Sequence, residues 1–351
     1  MINLININGG RIGGRTSNLR LNQQCEVETP LFLPVYQPVR QPISASEMTL
    51  LGAQGLIVNA FFLYRNLKLK EKALNQGLHR FLGLGEKSLV MTDSGAYQKI
   101  TGSQEPDISN EEIIAYQEKI KASIITPFDE ITFPNDPKDL VLKKAKLNLE
   151  RYNEARELAP KVQIAFVLST GLFHDIRRKY IQMIRDKTIN TRYIALGSLV
   201  PFFTQKKNFN TLQQTLLKNN VLIPEECVIH LMGAGHPQEI PFFIASGCDV
   251  FDSSVFHHLA RKGIYFLRHG WTHISKLKKE CECPICSGIS LKELKRSSLA
   301  IAKHNLYICL KTVEETKKAM RKKSLLTYLE EKARGFSYLQ DYFNQISQIL
   351  G

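Results

Sequence analysis

The chain of 351 residues carries 47 Lys and Arg against 33 Asp and Glu, for a net charge of +14, and 43% of it is hydrophobic. It is long enough for a (β/α)8 barrel of roughly 250 residues plus an appendage, and apolar enough for a sizeable core. No run approaches the roughly 20 apolar residues of a membrane span, and residues 1–14 lack the basic, apolar and cleavage regions of a secretory leader, so a cytoplasmic protein with no membrane partner is expected. The positive excess attracts polyanions, nucleic acid foremost. Its densest cluster, Lys317, Lys318, Arg321, Lys322 and Lys323, reads either as a phosphate-binding patch or as a solvated helix face.

In chain order, short and continuously apolar runs alternate with amphipathic stretches. The runs are Leu31–Tyr36, 56–59, 89–92, 122–126, 162–168, Tyr193–Leu196, 227–232 and 248–251. Continuous Val, Ile and Phe mark strands buried on both faces, as in a parallel sheet. Between them, 68–82, 110–121, 139–158, 175–185 and 209–219 read as helices. Eight strands alternating with helices predict an α/β fold, a TIM barrel over residues 1–270. An open doubly wound sheet is the alternative, but it has no reason to stop at eight strands. Residues 271–351 are expected to hold a metal-binding segment and C-terminal helices that complete the barrel.

Active sites of such barrels lie where the strands end. The third run ends in Asp93, the fourth leads into Pro-Phe-Asp129-Glu130, and the eighth is followed by Asp252-Ser253. One Asp after a strand is commonly a turn or cap residue; three at one rim point to chemistry. Two carboxylates can divide the work of cleaving a glycosidic bond between nucleophile and general acid/base, and a ribose–base bond poses a related problem. Position alone does not say which Asp does which, and a magnesium-binding carboxylate cluster is the competing reading. Gly233-Ala-Gly-His236 lacks the third glycine and the Lys-Ser/Thr of a nucleotide loop and reads as a tight turn.

Seven cysteines do not form a disulfide-like pattern. Cys25, Cys227, Cys248 and Cys309 are isolated and read as small buried apolar residues. Cys281, Cys283 and Cys286 fall within six residues, and His304 follows, which suits a closed tetrahedral Zn2+ site of structural type. An iron–sulfur cluster and three metal-free thiols are the other readings.

These features join a set of phrases: Thr92-Asp-Ser-Gly-Ala-Tyr-Gln98, Leu196-Gly-Ser-Leu-Val-Pro201, Met232-Gly-Ala-Gly-His-Pro237 and Gly247-Cys-Asp-Val-Phe-Asp-Ser253, with the cysteine cluster and His304-Asn-Leu. In this order and spacing they resemble the tRNA-guanine transglycosylases over nearly the whole chain. The wording is closest to the archaeal, archaeosine-type branch that acts on guanine 15 of tRNA. The resemblance implies exchange of a tRNA guanine for a 7-deazaguanine, 7-cyano-7-deazaguanine in the archaeal members, through a covalent aspartyl–ribose intermediate. It implies Asp252 as the nucleophile and Asp93 as the second carboxylate, which contacts the base and acts as general acid/base. It further implies Asp129 on the guanine edge, the backbone of Gly197 and Ser198 against the base, and Tyr97 stacked on it. Cys281, Cys283, Cys286 and His304 match the family's ligands for one Zn2+ per chain, and a homodimer is implied.

Three departures accompany the resemblance. Ser169-Thr170 stands where the family has a base-reading Gln-Gly pair. Archaeal relatives continue into a tRNA-gripping PUA region, whereas this sequence ends at Gly351, so that module is expected on a separate subunit. Pro127-Phe-Asp-Glu130 is worded more like bacterial members. DNA in place of tRNA as the polymer, a non-catalytic RNA-binding partner subunit, and a metal-dependent barrel hydrolase are the alternative functions.

Overall fold

A computed structural model describes residues 2–39, 42–99, 107–204, 209–278 and 281–351. Among these residues, eight parallel strands form a barrel: Leu31–Tyr36, Gly55–Asn59, Leu89–Asp93, Ile124–Ile125, the split strand Gln163–Ile164 with Phe166–Val167, Tyr193–Leu196, Val228–Leu231 and Val250–Ser253. They are barrel strands one to eight. Strand eight pairs with strand one, Val250 opposite Leu31. Strand five closes the ring, its first half on strand four (Ile164 opposite Ile125) and its second half on strand six (Phe166 opposite Ile194). Each of the eight apolar runs is one of these strands, so the TIM barrel stands and the open sheet is excluded.

The runs are continuous because both faces of each strand are covered. Successive side chains alternate, so Leu89, Met91, Tyr193, Ala195, Val228 and Val250 fill the barrel interior. Their neighbours Val90, Ile194, Leu196, Ile229 and Phe251 pack under the outer helices. An antiparallel sheet of Asn3–Gly9, Arg15–Arg20 and Glu26–Thr29 lies at the end where the strands begin. Its Leu19, Cys25 and Val27 join the interior cluster and form the floor. This sheet was not expected, because its strands are rich in Asn, Arg and Thr and carry no continuous apolar run.

The helix expected over 68–82 is two helices, Leu67–Gln76 and Leu78–Leu82. Gly77 divides them at φ +75°, a conformation open to glycine, and the Leu78 amide turns to donate to the Ile120 carbonyl at 2.7 Å. The longest helix, Ser298–Arg321, packs on barrel strand one and on helix Val255–Arg261.

The end of that helix corrects the basic-patch reading for two of its residues. Lys317 is buried and pairs with Glu28 at 3.1 Å and Glu314 at 2.6 Å, and Arg321 also pairs with Glu28. Glu28 sits just before barrel strand one, so these cations serve the pole opposite the strand ends. Lys318, Lys322 and Lys323 remain exposed there.

At the same pole Arg15 grips Asp249 through two bonds, Nε to Oδ1 at 2.8 Å and Nη2 to Oδ2 at 2.9 Å. Asp249 Oδ2 also accepts from the Ile229 amide at 2.8 Å, which ties the start of strand eight to strand seven. Both side chains are fully buried. Removing one partner of a buried pair strands the other charge, so Asp249→Ala is expected to lower stability by about 3–5 kcal/mol in chemical denaturation. A loss below about 1 kcal/mol, the range of exposed pairs, would contradict this role.

Candidate active site

The interior alternation that builds the floor also places the carboxylates. On strand three, Leu89 and Met91 face inward below and Asp93 follows at the mouth; on strand eight, Val250 is below and Asp252 above. Asp93 accepts from Asn59 Nδ2 at 3.2 Å, and its other support is the Gly95 amide. Asn59 itself caps the helix Ala60–Arg65, accepting from the Phe62 amide at 3.0 Å. Asp252 Oδ1 lies 2.8 Å from His230 Nε2 and accepts from the Gly233 amide at 3.1 Å.

Asp129 comes from the loop after strand four. Ser169 Oγ, just beyond strand five, donates to Asp129 Oδ2 at 2.7 Å. Thr132 Oγ1 donates to the Ser169 carbonyl at 2.7 Å, and the Thr132 amide donates to Ser198 Oγ at 2.8 Å. The loops after strands four, five and six are thus laced together at one side of the mouth. A Cβ at Gly197 would lie 2.4 Å from Ser169 Oγ, so only glycine lets strand six come this close to the Asp129–Ser169 pair. Ser198 follows in the left-handed region at φ +60°, a conformation that a non-glycine residue holds only where its surroundings enforce it. Tyr97, on the turn Ala96–Lys99 after strand three, is 43% exposed at the rim.

Asp93 feels the other two carboxylates. Burial pushes the Asp93 carboxyl up to about 7, and the charges of Asp129 and Asp252 add to that push against the hydrogen bonds from Gly95 and Asn59. Asp129 is also raised, chiefly by burial, with the Ser169 hydrogen bond opposing. A carboxyl poised near neutrality can give a proton and take one back, which general acid/base work requires. The structure therefore brings Asp93, Asp129 and Asp252 into one pocket. His230 was missed in the sequence; its only signal is that it is the one polar side chain inside the apolar run 227–232.

A separate cluster could hold a metal ion. Ligand atoms of Cys281, Cys283, Cys286 and His304 all lie within 4.8 Å of one another. The three cysteines precede helix Ser298–Arg321, which carries His304. His304 Nε2 is 2.8 Å from the Phe266 carbonyl, a bond that requires its proton there, so Nδ1 presents its lone pair to the sulfurs. Nδ1 stands 3.3, 3.5 and 3.9 Å from Cys283, Cys286 and Cys281 Sγ. A tetrahedral ion with thiolates at about 2.3 Å and imidazole at about 2.0 Å needs nitrogen–sulfur separations of about 3.5 Å. The donor set fits. It shares no residue with the carboxylate pocket, and all four protein ligands leave no position open for substrate.

The family model described as queuine tRNA-ribosyltransferase matches residues 11–338. The chain belongs to that family, whose members are tRNA glycosyltransferases. The tRNA-guanine(15) transglycosylase of Methanosarcina mazei is 34% identical over 339 residues, covering 94% of this chain and 67% of the relative. Those of Archaeoglobus fulgidus and Pyrococcus abyssi are 33% and 28% identical, over 88% and 95% of this chain and 64% and 57% of their own lengths. The chain thus spans between about half and two thirds of these archaeal relatives. No helix among the described residues is long and apolar enough to cross a membrane.

The raised Asp93 carboxyl has a cost in stability that depends on pH. Between the ordinary value of 3.8 and about 7, the native protein keeps a proton that the unfolded chain has released, so stability falls as pH rises through that window. Asp93→Asn removes this titration. Its melting temperature, relative to the unmodified protein, is expected to be higher at pH 8 than at pH 5; a difference independent of pH would contradict the assignment.

Proposed function

We propose that this pocket exchanges a guanine in tRNA for a 7-deazaguanine, 7-cyano-7-deazaguanine by analogy with the archaeal relatives, through a covalent bond between Asp252 and ribose. The observation that carries the proposal is the convergence of three carboxyl groups from the ends of strands three and eight and the loop after strand four, one of them poised near neutrality. In the first half-reaction Asp252 donates an electron pair to C1′, the C1′–N9 bond breaks, and Asp93 protonates the departing guanine. In the second, Asp93 takes the proton from the incoming base, whose nitrogen attacks C1′ and returns the electron pair to Asp252. Asp129 reads the base edge, held in place by the Ser169 hydroxyl. The backbone of Gly197 and Ser198 lines the same side, and Tyr97 supplies a face for stacking, a contact any purine accepts.

In this proposal the cluster of Cys281, Cys283, Cys286 and His304 holds one Zn2+. When bound, the ion crosslinks the segment after strand eight to helix Ser298–Arg321 and takes no part in the chemistry. Structural zinc sites carry apparent binding free energies of roughly 10–16 kcal/mol in small peptides. Purified protein is therefore expected to contain one zinc per chain, and Cys283→Ser to lose it with a lower melting temperature. Elemental analysis finding iron, or no metal, would contradict the assignment. A homodimer belongs to the proposal on the family resemblance alone.

The polymer is tested by incubating the protein with radiolabelled guanine and either unmodified tRNA or DNA of matched sequence. Label in tRNA supports the proposal, label in DNA replaces tRNA with DNA as the substrate, and label in neither leaves the partner-subunit reading in its place. Asp129→Ala is expected to weaken capture of guanine by about 1–3 kcal/mol, because a hydrogen-bonding edge of the base is left unpaired. An unchanged KM for guanine in that variant would remove Asp129 from base recognition.

A further inference from the structure

Below the mouth of the pocket, a buried polar chain runs from Asp252 into the barrel interior. His230, on strand seven, sets Nε2 2.8 Å from Asp252 Oδ1, the same oxygen that accepts from the Gly233 amide at 3.1 Å. On the other side of the imidazole, Nδ1 lies 3.0 Å from the Tyr193 hydroxyl of strand six. The two rings meet edge-on with centroids 5.8 Å apart. Both residues are fully buried. Most inward positions at this depth are apolar, such as Met91 and Ala195, so a histidine and a tyrosine here need a reason.

The proton positions follow from chemistry. A carboxylate only accepts, so Nε2 carries a hydrogen, and in that tautomer of the imidazole Nδ1 offers a lone pair. Tyr193 must then be the donor to Nδ1. Its phenol is pushed well above its ordinary value by burial and by the carboxylates of Asp252 and Asp249, so it keeps its proton. The remaining neighbour of the hydroxyl is Met91 Sδ at 3.6 Å, a weak acceptor. Tyr193 therefore fixes the tautomer, and the tautomer fixes the bond to Asp252.

We infer that His230 and Tyr193 are a positioning pair that holds Asp252 Oδ1 inward and leaves Oδ2 as the oxygen that attacks the ribose. The inference rests on the proposed nucleophilic role of Asp252. As Oδ2 forms the bond to C1′ and the C1′–N9 bond breaks, Oδ1 becomes the ester carbonyl oxygen and keeps its two donors. When the incoming base displaces the ester, the electron pair returns to the carboxylate, where Nε2–H and the Gly233 amide receive the restored charge. His230 moves no proton in either half-reaction.

Guanine exchange into tRNA, measured as kcat and KM with intact-mass analysis of the covalent adduct, tests the pair. His230→Phe removes the donor, and misplacing a reacting group by an ångström costs about 100-fold. That loss is expected in kcat, with KM for guanine unchanged. Tyr193→Phe removes one oxygen without changing shape and should cost about tenfold, the worth of one hydrogen bond. His230→Gln, which keeps an N–H donor near the same point, should recover most of the activity. The double variant His230→Phe with Tyr193→Phe should be no slower than His230→Phe alone, because Tyr193 acts only through the imidazole.

Losses that multiply in the double variant, or wild-type kcat in Tyr193→Phe and His230→Phe, would overturn the pair. If His230→Phe does not fold, Tyr193→Phe and His230→Gln decide, since both preserve the packing. The two readings fail differently. An unmodified protein that forms no adduct at Asp252 removes the nucleophile itself; an adduct that forms at the wild-type rate in Tyr193→Phe and His230→Phe removes only the positioning pair.

Discussion

The pleat of a closed barrel governs this molecule. Every second residue of each strand must point into a space that other strands also fill, so an inward side chain is either packed at the floor or presented at the mouth. Strand three shows both outcomes in one segment, with Leu89 and Met91 buried in the interior and Asp93 at the exit. Strand eight repeats the pattern with Val250 and Asp252. A shift of one residue in either strand would send the carboxylate outward under the helices. The register that makes the core is therefore also the register that assembles the pocket.

Gathering three carboxylates in a partly dry site works against folding. Burial raises Asp93 and Asp129 above the ordinary range, helped by the charges of Asp129 and Asp252 at Asp93 and of Glu130 at Asp129, and the protein offsets part of this with aimed donors: the Gly95 amide and Asn59 on Asp93, Ser169 on Asp129, His230 and the Gly233 amide on Asp252. The opposite pole has the reverse character. There Asp249 meets Arg15 in a bidentate buried pair, and Glu28 meets Lys317 and Arg321. One end of the barrel is held by ion pairs, while the other gathers carboxylates on hydrogen-bond donors where a substrate would meet them.

This division explains what could be read from the sequence. The strands were legible because burial on both faces leaves unbroken apolar runs, and Asp93 and Asp252 were legible because each follows such a run. The floor sheet was not, since strands such as Arg15–Arg20 bury polar side chains, Arg15, Thr16 and Ser17, and show no apolar run. Lys317 and Arg321 looked like free cations because nothing local shows that Glu28, almost three hundred residues away, pairs with both. Asp249 and Asp252 stand three residues apart in one phrase, yet one ties strand eight to Arg15 and the other faces the pocket; only the fold separates them. His230 and Tyr193 sat inside apolar runs as exceptions without an evident partner, because their link crosses from strand six to strand eight.

In the proposed mechanism Asp252, rather than Asp93, bonds to ribose. The most direct test is to denature the protein during turnover with tRNA, digest both polymers, and locate the residual ribose by peptide mass mapping. A ribose-bearing peptide containing Asp252, absent from Asp252→Asn and still present in Asp93→Asn, is the expected result. Ribose on the Asp93 peptide, or no modified peptide from a protein that exchanges guanine, would contradict it.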